Sequence, residues 1–206
     1  IVNSQLKKWL LIVSVNPGGL NGGSGTMYFI GDFDGKTFTA DSLDYPLWLD
    51  SGADNYAGVT FHNAPDGRTV LIGWMNNWNY CGASPVSPWR SAFTMPRELK
   101  LVEKEGKLAL SHRPVQEVEK IAGEWKEIQP GDFASALGGN ACSHLHLDID
   151  ALTNGTVTLG NSQGEQLEIT LNKAAGVMLV ARSAKTGKTN FNNSFAIPAV
   201  KGKMPT

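Results

Sequence analysis

"YAGVTFHNAPDGRTVLIGW", Tyr56 to Trp74, decides the fold. Two runs rich in β-branched and aromatic residues, Tyr56–His62 and Arg68–Trp74, flank Asn63-Ala-Pro-Asp-Gly67. Proline presets φ for a turn, and glycine accepts the positive φ that often ends one, so the segment reads as a β-hairpin. The same grammar recurs outward. Thr26–Gly31 precedes Asp32-Phe-Asp-Gly35 and Lys36–Thr39, while Phe93–Val102 and Lys107–His112 flank Glu105-Gly106. Upstream, Trp9–Val15 is apolar almost throughout and is expected as a buried strand. A glycine-rich loop, Asn16–Gly25, follows it. Turn signals every ~8–12 residues indicate an all-β sandwich, barrel or propeller.

One segment departs from this grammar. In Pro114–Ile121, Val115, Val118 and Ile121 fall at helical spacing, which predicts a helical turn connecting two β units. Beyond it, His144–Asp150, Gln166–Leu171 and Val177–Ala181 alternate polar and apolar residues, as strands of a sandwich with one solvated face do. The expected organisation is therefore a β unit over 1–113, a connector over 114–121 and a second β unit over 122–206.

Composition narrows the function. Of 206 residues, 41% are hydrophobic, enough for a buried core. Eighteen basic residues against 19 acidic ones leave a net charge of −1, which lacks the basic surplus that nucleic-acid binding draws on. No apolar run approaches the ~20 residues of a membrane-spanning helix. Cys81 and Cys142 fit no zinc or redox spacing and are expected as two separate buried thiols. His144 and His146 share a strand face without a third ligand, and read as surface histidines rather than a metal site. Asp32-x-Asp34-Gly35 lacks the later glutamate of a calcium loop and reads as a hairpin turn. Asn154-Gly-Thr156 and Asn192-Asn-Ser194 match a glycosylation pattern too common to weigh. No nucleophile elbow, Walker loop, zinc-protease or dinucleotide motif occurs, so neither a cofactor nor a metal is expected. The chain begins without methionine, almost directly on a strand, and stops on a polar tail, as a piece of a longer protein would.

The chemistry concentrates where the hairpin ends. Trp74, Asn76, Asn77 and Trp78 set flat aromatic faces beside side-chain amides. Sugar rings offer C–H faces to indole and hydroxyls to amides and carboxylates, so the combination suits a carbohydrate surface. The alternative is that both tryptophans are core and the asparagines cap a turn. Asp54, in Asp50-Ser-Gly-Ala-Asp54-Asn-Tyr56, could grip two sugar hydroxyls or cap a turn. No catalytic carboxylate pair stands beside these loops.

Taken in order, "NPGG...GGSGTMYFIGDFDG", "WLDSGADNYAGVTF", "LIGWMNNWNY", "SPWRSAFTMPREL" and "RPVQEVEKI" resemble glycoside hydrolase family 32, and closely its exo-acting inulinases, levanases and β-fructosidases. The resemblance is dense from Trp9 to about Ile121 and thins through "GEQLEITL" and "KTGKTNFNNSFA". It implies an all-β fold, a five-bladed β-propeller followed by a β-sandwich. It also implies release of terminal fructose from fructans or sucrose with retention, which requires a nucleophile and an acid/base carboxyl close together.

The family's three catalytic motifs, W-M-N-D-P-N-G, R-D-P and E-C-P, are absent here. "WMNNW" has Asn77 in place of the nucleophile and no P-N-G after it. The chain is therefore expected to be the late blades, the connector and an incomplete sandwich, with its catalytic residues elsewhere and a complementary N-terminal propeller fragment as a possible partner. Carried over residue by residue, Trp78 matches the tryptophan lining the fructose pocket, and Asp54 matches an aspartate bordering it. Asn76 and Asn77 lie in the same loop, and Trp89 and Arg90 match residues expected to be structural. Where relatives read L-D-R-x-x-S-G, this chain has Val180-Ala-Arg182-Ser-Ala-Lys-Thr-Gly187. The family and its polymeric substrates imply an extracellular or periplasmic location. Two other readings remain: a non-catalytic fructan-binding module and a degenerate pseudo-enzyme. An unclosed propeller would leave sheet faces bare, so the isolated chain is expected to fold poorly.

Overall fold

The computed structural model describes residues 7–44, 46–84, 86–104, 106–129, 132, 136, 139, 142–147, 154–183, 191 and 194–198. The described residues are almost entirely β, in three four-stranded antiparallel sheets. The first holds β1 (Trp9–Val15), β2 (Gly25–Phe33), β3 (Phe38–Ala40) and β4 (Leu47–Trp48), with β2 in the middle. The second is a meander of β5 (Tyr56–Thr60), β6 (Thr69–Trp74), β7 (Arg97–Lys104) and β8 (Lys107–Pro114). The third is a meander of β9 (Gly155–Gly160), β10 (Gln166–Asn172), β11 (Val177–Ser183) and β12 (Ser194–Pro198).

Local chemistry explains the turns. Asp34 Oδ1 accepts the backbone N–H groups of Lys36 and Thr37, both at 2.7 Å, which folds the chain between β2 and β3. Between β5 and β6 the Gly67 N–H donates to the Ala64 carbonyl, and Gly67 has φ +70°. β7 and β8 pair from Arg97↔Pro114 to Lys104↔Lys107, and Gly106 sits at φ +73° in the turn between them.

The core joins the first two sheets. Tyr28, Ile30, Leu49, Leu71, Leu99, Leu101 and Leu110 form one buried cluster, with Leu10, Ile12, Leu47 and Leu108 packed against it. On β2 the buried positions alternate through Thr26, Tyr28 and Ile30, the period-2 pattern of a strand with one face inward. The third sheet contributes Leu171 on β10 as its buried apolar residue among those described.

Three expectations need correction. β1 has the predicted bounds but is not buried: it pairs with β2 alone within its sheet, and Trp9 and Leu11 are exposed. Residues 142–147 form no strand, and 148–150 lie outside the described residues. His144 instead sets its ring edge-on to Trp125, with centroids 4.6 Å apart. Cys81 and Cys142 are both unbonded, but neither is buried: Cys81 is half-buried and Cys142 exposed. The predicted helical turn is α1 (Glu117–Ile121), tied to the second sheet through Arg68. Arg68 donates to Glu117 at 3.1 and 2.8 Å and pairs with Asp66 at 2.5 Å.

Candidate functional site

The site is built where β6 leaves its sheet. Its last residue, Trp74, faces Tyr56 across the β5–β6 pairing. A register shift between Tyr56 and Val59 holds Ala57 at φ 52°, and the Ala57 N–H donates to Ser14 Oγ at 3.1 Å. This bulge re-aims the strand end, a common use of an extra residue beside a site. The Tyr56 and Trp74 rings stand edge to face at 6.2 Å, and Trp78 lies 5.3 Å beyond Trp74 at a tilt of 54°. Three aromatic rings thus run outward from half-buried Tyr56 to Trp78, which is 56% exposed.

Beyond Trp74 the chain makes an excursion and returns. Met75 N–H donates to the Ala92 carbonyl at 2.8 Å, and Thr94 N–H to the Gly73 carbonyl at 2.8 Å. Residues 76–91 are therefore a loop clamped at its base. Arg90 Nη1 donates to the Ser84 carbonyl at 3.0 Å inside that loop, and Trp89 is 69% exposed.

Asn77 is fully buried at 0% exposure, and its amide is committed to the protein. Nδ2 lies 3.1, 3.0 and 3.0 Å from the carbonyls of Gly22, Ser24 and Ala53. Its Oδ1 accepts from the backbone N–H of Asn79 at 2.9 Å and of Ser24 at 3.3 Å. One side chain therefore joins the glycine-rich loop, the loop before β5 and the turn carrying Trp78. Asn76 is buried too. Its Nδ2 donates to Ser84 Oγ at 2.9 Å and Ser91 Oγ at 2.8 Å, and its Oδ1 accepts the Asn77 N–H at 2.8 Å.

The expectation that these two amides face a ligand is thus corrected. Buried amides gain most from fixed partners, and here those partners are the surrounding loops. Trp78 is held from the same network, its N–H donating to Ser24 Oγ at 3.2 Å.

Asp54 also has partners on both oxygens. Tyr80 O–H donates to Oδ1, and Arg182 Nη1 on β11 pairs with Oδ2. Arg182 lies over the Tyr80 ring at 4.8 Å and the Phe191 ring at 4.3 Å, and the two rings meet edge to face at 5.6 Å. Burial first, and then the hydrogen bond to Asp54, push the Tyr80 hydroxyl well above its usual range, so it stays protonated and donating.

A second polar cluster links the loop before β5 to β7 and β8. Asp50 accepts from Asn55 Nδ2 at 2.5 Å and pairs with Arg97 Nη1 at 2.7 Å, which is 3.3 Å from His112 Nδ1. Burial, and then the charge of Arg97, lower the His112 pKa below 6.5 against the pull of Asp50.

Arg182, Tyr80 and Ser24 are the residues that sequence reasoning did not place at the site. Tyr80 stood inside the quoted "WMNNWNY" stretch, and Arg182 in the stretch compared with L-D-R-x-x-S-G. Neither position gave a sign of the contact across 128 residues. Among the described residues no group of three or more His, Cys, Asp or Glu is placed to hold a metal ion.

The family model described as "Glycosyl hydrolases family 32 N-terminal domain" matches residues 2–112. A levanase of Bacillus subtilis (strain 168) is 44% identical over 132 residues, covering 61% of this chain and 20% of that protein. An extracellular exo-inulinase of Aspergillus niger is 42% identical over 210 residues, covering 92% of this chain and 38% of that protein. Among solved structures, a β-fructofuranosidase from Schwanniomyces occidentalis complexed with fructosyl-erythritol superimposes with a TM-score of 0.71 at 23% identity. That match covers 96% of this chain and 44% of the other. An exo-inulinase from Aspergillus awamori gives a TM-score of 0.65 at 24% identity, with 95% and 42% covered. The chain spans well under half the length of each of these relatives.

Proposed function

The chain belongs to glycoside hydrolase family 32, and on that premise we propose that it is part of a retaining β-fructosidase, a hydrolase of fructan or sucrose that releases terminal fructose. In this reading residues 1–113 are late propeller blades, 114–121 the connector and 122–206 part of a β-sandwich. The first two sheets are each four-stranded and antiparallel, as blades are, and share one core. The extracellular exo-inulinase relatives favour an extracellular or periplasmic location.

A single observation carries the site assignment: an indole left 56% exposed on a rigidly held turn, in a stack that begins inside the sheet. A tryptophan whose turn is tied down by the buried Asn77 amide and whose ring stays open is suited to a sugar face. Trp78 is thus one wall of the fructose pocket, Asp54 borders it, and Asn76 and Asn77 hold the wall in place. Nucleophile, stabilising aspartate and acid/base glutamate are contributed by sequence outside these 206 residues, because none of the three motifs occurs within them.

The test is fructose release from sucrose, inulin and levan by the complete gene product, with and without Trp78→Ala. Loss of one stacking face is expected to lower kcat/KM by about tenfold or more. A complete gene product that binds fructans but releases no fructose would replace this reading with the non-catalytic module. Turnover unaffected by Trp78→Ala would remove the pocket assignment.

A further inference from the structure

We propose that Arg182, on the third sheet, is a positioning residue for the Trp78 wall, so that the third sheet sets the affinity of the sugar site. The inference rests on the reading of Trp78 as a sugar-contacting residue. Its basis is the way two loops are held on either side of that tryptophan. From within, Asn77 Nδ2 binds the Ala53 carbonyl, and the Asn77 carbonyl accepts the Tyr80 N–H at 3.1 Å. From outside, the residues next along each loop are closed by a separate set of contacts. Asp54 follows Ala53, Tyr80 lies two residues beyond Trp78, and Arg182 binds the first while covering the ring of the second. Trp78 stands between the two closures.

The chemistry of the clamp is particular to arginine. Nη1 pairs with Asp54, Nε donates to the Phe191 carbonyl at 3.0 Å, and the flat guanidinium lies against the Tyr80 and Phe191 rings. A lysine supplies a point charge and cannot do all three. The Arg182 and Asp54 side chains are only 21% and 20% exposed, so solvent screens this pair less than a surface pair. Arg68, which ties α1 to the β5–β6 turn, is a comparable clamp that touches neither loop around Trp78.

The experiment compares Arg182→Leu, Arg182→Lys, Asp54→Asn, the Arg182→Leu/Asp54→Asn double variant, Arg68→Leu and Trp78→Ala in the complete gene product. Readouts are KM and kcat for sucrose, thermal melting, and the ¹⁹F resonance of Trp78 in 5-fluorotryptophan protein. Arg182→Leu is expected to raise KM about tenfold with kcat nearly unchanged and to shift the Trp78 resonance. Arg182→Lys falls between it and wild type, and supplies the same readouts if the leucine variant does not fold. The double variant is expected to be no worse than the poorer single variant, because both break one contact. Arg68→Leu lowers melting without moving KM. An unchanged KM for Arg182→Leu alongside a raised KM for Trp78→Ala overturns the inference and leaves the sugar site standing. An unchanged KM for Trp78→Ala overturns the sugar reading itself. In that case an unmoved Trp78 resonance in the Arg182 variants overturns the clamp too, and a shifted one upholds it.

Discussion

Asn77→Ala is the sharpest perturbation of the site. The wild-type amide is fully buried and serves three carbonyls and two backbone N–H groups. Truncation leaves the Asn79 N–H and the carbonyls of Ser24 and Ala53 without their partner, and each buried group left unpaired costs about 1–3 kcal/mol. The bonds to Gly22 and from Ser24 N–H are longer, at 3.1 and 3.3 Å, and water entering the space offsets part of the loss. A net local cost of about 3 kcal/mol follows, or roughly 150-fold in the equilibrium for opening these loops. Hydrogen exchange by mass spectrometry reads this directly in peptides covering 19–25, 53–56 and 77–81. Asn77→Asp should be at least as damaging at pH 7, because a carboxylate oxygen would then face three carbonyl oxygens in a buried site. It should recover in part in acid, where a protonated carboxyl can donate to one of them. Exchange accelerated less than threefold by Asn77→Ala, or wild-type protection in Asn77→Asp at pH 7, would refute the reasoning.

Other consequences follow from the same contacts. At Gly23, φ is +64° and a Cβ would fall on Asn77 Oδ1, so Gly23→Ala should lower stability by about 2–4 kcal/mol. A Cβ at Gly52 meets nothing within 4 Å, so Gly52→Ala should stay within about 0.5 kcal/mol in thermal melting. His112 is held below its ordinary 6.5, so its contribution is complete above about pH 6.5 and fades as pH falls through the folded value. Melting between pH 7.5 and 5 should therefore drop more steeply for wild type than for His112→Gln. Glu117 is held down at about 2, by Arg68 first, against an ordinary 4.5. Its stabilising effect is present above about pH 4.5 and disappears toward pH 2, so the melting deficit of Glu117→Gln should close over that window.

The hairpins were legible because their signals are local. Asp-Gly and Pro-Asp-Gly fix turns by their own backbone preferences, and β5–β6, β7–β8 and β10–β11 follow from the apolar runs on either side. Burial was less legible. The apolar run of β1 suggested a buried strand, but exposure depends on which strands flank it, and β1 has one partner in its sheet. Alternation in His144–Asp150 suggested a strand, yet 142–147 pairs with none, and His144 packs on Trp125. At the candidate site, the place of Trp78 past the strand end was legible from the apolar run that stops at Trp74. The sequence places Asn76 and Asn77 in the same loop but suggests an outward role for them. Whether an amide turns inward depends on carbonyls at Gly22, Ser24 and Ala53, which lie more than 20 residues away in sequence. Arg182 was the hardest to read, since a contact across 128 residues leaves no local trace.

The most direct measurement is a crystal structure of the complete gene product with fructose bound. The account predicts a fructose ring in van der Waals contact with the Trp78 indole, within about 4 Å. Asp54 should remain joined to Tyr80 and Arg182, with Asn77 buried beneath. A fructose bound away from Trp78, or a Trp78 ring covered by protein in the complete molecule, would contradict it.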